Sequence, residues 1–149
     1  MRAFNISDNG MFMRLLLTSS VFDGWDLIKA QVTMGCRFEI AGERQADFYE
    51  DEAEKTGYVG WAAVKPFVYE IIRGKKPPLQ MLIVLRHPTC ISSQTQDCMM
   101  NIQLQHGVIQ VISGVSYKTF TLDKSDERTW DDTVEALLKE HKVPYEAFI

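Results

Sequence analysis

The stretch MNIQLQHGVIQVIS, Met100 to Ser113, alternates apolar and polar residues on both sides of a His-Gly pair. A period of two sends successive side chains to opposite faces of a strand, so each arm presents one apolar and one polar face. Glycine in a two-residue connection accepts the positive φ that a tight hairpin demands. A chain carrying this element must build a sheet with one face buried, and other apolar elements must cover that face.

The remaining segments extend the same pattern. In WDLIKAQVTM, Ile28, Ala30, Val32 and Met34 fall on one side and Lys29, Gln31 and Thr33 on the other; CRFEI returns with Phe38 and Ile40 on the apolar side, which predicts a second hairpin around Gly35. LQMLIVLR has almost no polar side and reads as a central strand covered on both faces. RAFNIS suits a strand or an extended arm, VSYKTFTLD a further strand beyond Gly114, and YEAFI a terminal one.

Helical spacing appears three times. Phe12, Leu15 and Leu16 form an inward stripe, with Ser7 as the expected N-cap and Ile6 and Met11 as a hydrophobic staple. Trp61, Val64, Val68, Ile71 and Ile72 form the second stripe; Gly74 and Pro77 supply its stop, while Pro66 demands either a kink or a later start. Trp130, Val134, Leu137 and Leu138 form the third, capped by Ser125 and ended by Pro144. GERQADFYEDEAEKTG, between the first hairpin and the second helix, reads as an acidic loop anchored by Phe48 and Tyr49. The expected fold class is α+β, one domain over residues 1–149, with a mostly antiparallel sheet of about six strands and three helices against it.

Composition narrows the function classes. The 149 residues are 46% hydrophobic and 24% charged, which is the balance of an ordinary globular domain rather than a disordered chain. A net charge of −4 argues against a general nucleic-acid binder. No apolar run approaches the length of a membrane span, and the first residues lack the apolar core of a leader. Cys36, Cys90 and Cys98 are odd in number and do not form a disulfide framework, so the expected compartment is the cytoplasm.

The familiar chemistries find no complete motif. His87, Cys90, Cys98 and His106 supply zinc-type ligands, but the distal pair is badly spaced and His106 falls in a hairpin turn, so no metal is assigned. Cys90 has His87 nearby in sequence but no orienting third group, and no nucleophile elbow, zincin helix or phosphate loop is present. The acids Asp47, Glu50, Asp51, Glu52 and Glu54 lack the spacing and glycine of a calcium loop. Asp131 and Asp132, adjacent on a helix, diverge by about 100° and read as helix-dipole partners rather than a proton-sharing pair. No catalytic residue and no cofactor follow.

What remains is the turn IIRGKKPPLQ, with Arg73, Lys75 and Lys76 at a helix end. Cations there offset the free carbonyls of the helix terminus, which is a sufficient structural reason for them. If Lys118 and Lys124 lay beside this turn, the five cations could receive an acidic partner or another anion. The segment SYKTFTLDKS could also present an exposed strand edge to a second chain. The expected activity is therefore binding, through a protein partner or self-association at a sheet edge or the basic turn. An enzyme or small-ligand binder with an unrecognised pocket is the alternative, and polyanion binding the weaker one.

MRAFNIS, DFY, IIRGKKPPL and SGVSYKTFTLDKS followed by TWDD together resemble a family of small single-domain proteins of unknown function from clostridial Firmicutes. The likeness spans nearly the whole chain apart from His87 to Cys98. It implies a bacterial cytosolic protein and supplies no activity, ligand or site residue.

Overall fold

The computed structural model describes residues 1–89 and 95–148. The elements in chain order are β1 (Ala3–Ile6), α1 (Asn9–Thr18), β2 (Asp26–Thr33), β3 (Arg37–Ala41), α2 (Trp61–Ile72), β4 (Gln80–Arg86), β5 (Thr95–Gln105), β6 (Val108–Tyr117), α3 (Ser125–Glu140) and β7 (Tyr145–Phe148). The seven strands form one antiparallel sheet in the order β3-β2-β4-β5-β6-β1-β7. The three helices pack against its apolar face, so the α+β expectation is met with one strand more than the sequence suggested.

The hairpin of β5 and β6 is the one the alternation predicts. Gln105 pairs with Val108, and His106 and Gly107 have φ of 53° and 77°. Both central residues at positive φ make the turn whose twist matches that of the strands it joins. Met100, Ile102, Leu104, Ile109 and Val111 all face the helices and are buried. They join Phe4, Leu27, Val32, Ile83 and Leu85 from neighbouring strands, and Phe12, Leu16, Trp61, Val68, Trp130, Val134 and Leu138 from the helices, in one core. Of the three buried tryptophans, Trp61 and Trp130 satisfy their indole N–H groups on backbone: Trp61 donates to Leu16 O at 3.2 Å and Trp130 to Met99 O at 2.8 Å.

The other sheet face has no second layer among the described residues. A row in register across it runs Gln31, Leu82, Gln103, Gln110 and Asn5. β4 is therefore not fully covered on both faces as expected: on its second apolar side Val84 is buried but Leu82 is only half-buried. Antiparallel sheets tolerate such a wet face.

Several local expectations shift. Asp8, not Ser7, caps α1, accepting from Met11 N at 3.1 Å, which moves the helix frame and removes the Ile6–Met11 staple. Helix α2 starts at Trp61 and runs through Pro66, forgoing one backbone bond. Lys124 occupies the N-cap position of α3, and Ser125 N donates to the Asp123 carboxylate. Phe48 does not anchor the acidic loop: it is 83% exposed. The predicted strand beyond Gly114 is absent, because β6 passes straight through Gly114 and ends at Tyr117; Phe120 and Leu122 lie in an exposed loop.

A buried polar pair between β6 and α3 was missed. Ser113 and Asp131 are both buried, and the Ser113 hydroxyl donates to the Asp131 carboxylate. Asp131 shares the inward stripe of α3 with Val134 and Leu138, and Ser113 follows Ile109 and Val111 on β6, so each was visible as a polar residue at a core position. Asp132 faces away and meets Arg2, whose guanidinium also reaches Glu135 at 2.9 Å. The Tyr145 hydroxyl donates to Glu135 at 2.7 Å, tying β7 to α3.

Two predictions follow from this packing. A Cβ on Gly42 would stand 1.8 Å from Leu27 O, beside the β-bulge between Leu27 and Lys29. Gly42→Ala should lower unfolding free energy by roughly 3 kcal/mol in urea titration, whereas Gly35→Ala, which meets open space, should stay within about 0.5 kcal/mol. Tyr145 in turn holds the Glu135 carboxyl below its ordinary range, aided by the Lys139 and Arg2 charges, while burial and Glu135 push the tyrosine up to about 12. Tyr145→Phe should cost about 1–2 kcal/mol at neutral pH. The difference from wild type should shrink as pH falls through the carboxylate range, where Glu135 takes up its proton. It should shrink again above the ordinary tyrosine value of 10.0, as the unfolded chain ionises before the folded one.

Candidate functional site

The basic turn is built by the end of α2. Arg73 is the C-cap in an extended conformation, its N–H donating to Tyr69 O at 2.8 Å, and Gly74 follows at φ 143°, a conformation side chains resist. Pro77 and Pro78 keep the chain extended until Leu79 N bonds to Thr33 O at 2.8 Å and leads into β4. Lys75 and Lys76 thus lie beyond the C-cap, outside the last turn in which a cation offsets helix carbonyls most effectively. The helix-dipole role fits Arg73 better, and Arg73 also pairs with Glu70 at 2.9 Å, both exposed. Neither Lys75 nor Lys76 forms an ion pair among the described residues.

These two lysines stand at the rim of a cleft of about 1000 Å³. Its apolar lining comes from four elements: Met13 and Leu17 of α1, Ile72 of α2, the Pro77–Leu79 arm, and Leu104 with Ile109 of the β5–β6 hairpin. Asn9, at the start of α1, joins the hairpin turn by donating to Gly107 O at 2.8 Å, which fixes the far wall; His106 sits on the same rim. No carboxylate lines the cleft among the described residues. The local field at the mouth is positive on a protein whose net charge is negative.

The five cations singled out in the sequence divide into two groups. Arg73, Lys75 and Lys76 lie at the end of the sheet where β6 begins. Lys118 follows the last residue of β6, and Lys124 lies 3.8 Å from Glu127 and 6.0 Å from the Tyr117 ring. Ten residues of strand separate the two ends, about 30 Å at ~3.3 Å each. The segment SYKTFTLDKS offers no strand edge past Tyr117; the edges of the sheet are β3 and β7.

The possible zinc ligands do not share a centre. The His87 ring stacks edge-on against Trp25 at 5.0 Å and Trp130 at 5.5 Å, and the backbone N–H of His87 donates to Cys98 O at 2.8 Å. His106 is at the opposite end of β5, eight residues from Cys98 and about 25 Å away by strand rise. Cys90 lies outside the described residues. The acids from Asp47 to Glu54 spread over two short 3-10 turns, Ala46–Phe48 and Glu52–Glu54.

What sequence reasoning missed here is the cleft. Its walls come from residues 9 to 109, and only the KKPP turn was marked, as punctuation. The apolar Leu79 beside the prolines, 70% exposed, was a signal that this turn borders an apolar surface.

No helix among the described residues is long and apolar enough to cross a membrane. No curated protein and no solved structure matches the chain. Residues 15–146, spanning all the elements except β1, the first turns of α1 and the end of β7, match the model of DUF5721, a family of unknown function, and the chain belongs to that family.

Proposed function

We propose that the protein is a binding domain whose docking site is the cleft beside Lys75 and Lys76, and that it takes an acidic peptide segment carrying a bulky apolar side chain. The observation that carries this reading is the combination of an apolar floor, two lysines without ion pairs among the described residues and no carboxylate in the lining. An apolar centre with a polar rim is the anatomy of a protein interface. A site for a small molecule usually aims a few buried polar groups at its ligand. Among the described residues no buried side-chain polar atom lacks a partner, and Lys75, Lys76, Gln80 and His106 of the cleft lining are exposed. That favours a peptide over a compact metabolite, and binding over catalysis. The setting in this reading is the cytoplasm, in line with the odd cysteine count, and the bacterium is a clostridial one, as the resemblance implies.

The test is fluorescence anisotropy with a fluorescein-labelled peptide of four glutamates on each side of one phenylalanine. Binding should weaken as salt rises, because the lysine contacts lie at the rim and are screened. Replacing the phenylalanine of the peptide by alanine should abolish it. The double substitution Lys75→Glu and Lys76→Glu should weaken it roughly tenfold or more, equivalent to about 1.4 kcal/mol. Equal affinity for wild type and the double variant would overturn the reading. Binding of a fatty-acid anion with no binding of the peptide would transfer the cleft to a small amphiphile.

A further inference from the structure

We propose that the occupant of the cleft is a second copy of this chain, which inserts its own acidic segment 45–55 with the Phe48 ring leading. The inference rests on the cleft being a docking site and names the partner.

Three observations converge on it. The first is Phe48. Its ring is 83% exposed, yet it is held in place by backbone bonds from Phe48 N to Gln45 O and Tyr49 N to Ala46 O, and it stacks edge-on against Tyr49 at 5.3 Å. A large apolar side chain presented on an ordered turn loses little conformational freedom on docking, which makes it an effective anchor.

The second is charge. Asp47, Glu50, Asp51, Glu52 and Glu54 surround Phe48 in sequence. The cations among them are engaged: Lys55 pairs with Glu52 at 2.8 Å, and Arg44 lies over the Tyr49 ring at 5.7 Å. This segment is negative around an apolar projection, and the cleft is positive around an apolar depression. Complementary fields of this kind steer encounter and fix orientation.

The third is position. The bridges Glu43–Tyr58 and Asp26–Gly60 pin the two ends of the acidic segment to the end of the sheet where β2 starts. The cleft opens where β2 finishes, with Thr33 in its wall. Eight residues of strand, about 25 Å, lie between them, so one chain does not fill its own cleft. The two surfaces sit at opposite poles of the same strands, which suits end-to-end stacking. Different patches meet in such a contact, so the assembly is heterologous: each copy has one donor and one acceptor surface, and chains or rings grow with concentration.

Sedimentation velocity on the full chain tests this. Wild type should gain mass above the monomer as concentration rises, and lose that gain at high salt. Phe48→Ala removes the donor at an exposed position, and Lys75→Glu with Lys76→Glu removes the acceptor; each variant alone should remain monomeric. Mixed together, the first still has its acceptor and the second its donor, so the mixture should form a heterodimer and nothing larger. Wild type that stays monomeric at every concentration would overturn the proposal, as would an assembly that Phe48→Ala leaves unchanged. If wild type is monomeric while the glutamate–phenylalanine peptide still binds, the docking cleft stands and self-insertion falls. If neither occurs, both fall.

Discussion

The pairing of β5 with β6 is the constraint on which the rest of the molecule depends. Its register runs from Thr95–Tyr117 to Gln105–Val108, in the middle of the sheet. A slip of one residue would turn the apolar set of one arm to water, Met100, Ile102 and Leu104 of β5 or Ile109 and Val111 of β6, and break up the floor of the core. The His106–Gly107 turn prevents the slip by closing the hairpin over two residues. Once that register is set, β4 and β2 extend the sheet on one side and β1 and β7 on the other, and every helix has to settle on the single apolar face. The same register decides which loops meet: residues near Gly107 share an end with the KKPP turn, and residues near Tyr117 do not.

This explains what could be read from the chain and what could not. Strands and helices carry their period in neighbouring residues, so the β5–β6 hairpin, the β2–β3 hairpin and all three helices were legible. Strand ends are different, because a strand stops where its partners stop. β6 runs on to Tyr117, whereas β1 beside it reaches only Ile112 in the ladder. Nothing in VSYKTFTLD records where β1 runs out, so its alternation looked like a strand past Tyr117, where β6 ends. The cap of α1 failed for a smaller reason: Ser7 and Asp8 are both good caps, and the choice turns on where β1 releases the chain, with Ser7 N still bonded to Pro144 O.

The site was half legible. Arg73, Lys75 and Lys76 stood out as a cation cluster, and the stop signal formed by Gly74, Pro77 and Pro78 was clear. Sequence spacing alone could not separate their roles. In the fold Arg73 belongs to the helix end and to Glu70, while Gly74 turns the two lysines out past it and onto the rim of the cleft. Lys118 and Lys124 were grouped with them by charge alone, and the length of β6 sets them apart. The depression itself is assembled from α1, the end of α2, the β4 arm and the hairpin turn, which no local pattern connects.

Structural punctuation and a docking surface are therefore compatible in the same six residues. A helix that ends over the edge of a sheet must carry the chain back down to the next strand, and the prolines hold that descent away from the core instead of filling it. The gap left between the descent, the first turns of α1 and the β5–β6 turn has apolar walls, because each of those elements is turning its inward stripe toward solvent at its own end. Burial of those walls by a partner would recover hydrophobic free energy that the monomer leaves unused. In the proposed reading the lysines at the mouth would add selection by charge, favouring apolar groups carried beside carboxylates over others of similar size. At the opposite pole the chain itself displays such a group, Phe48 among its acids, on a turn that its own core does not need.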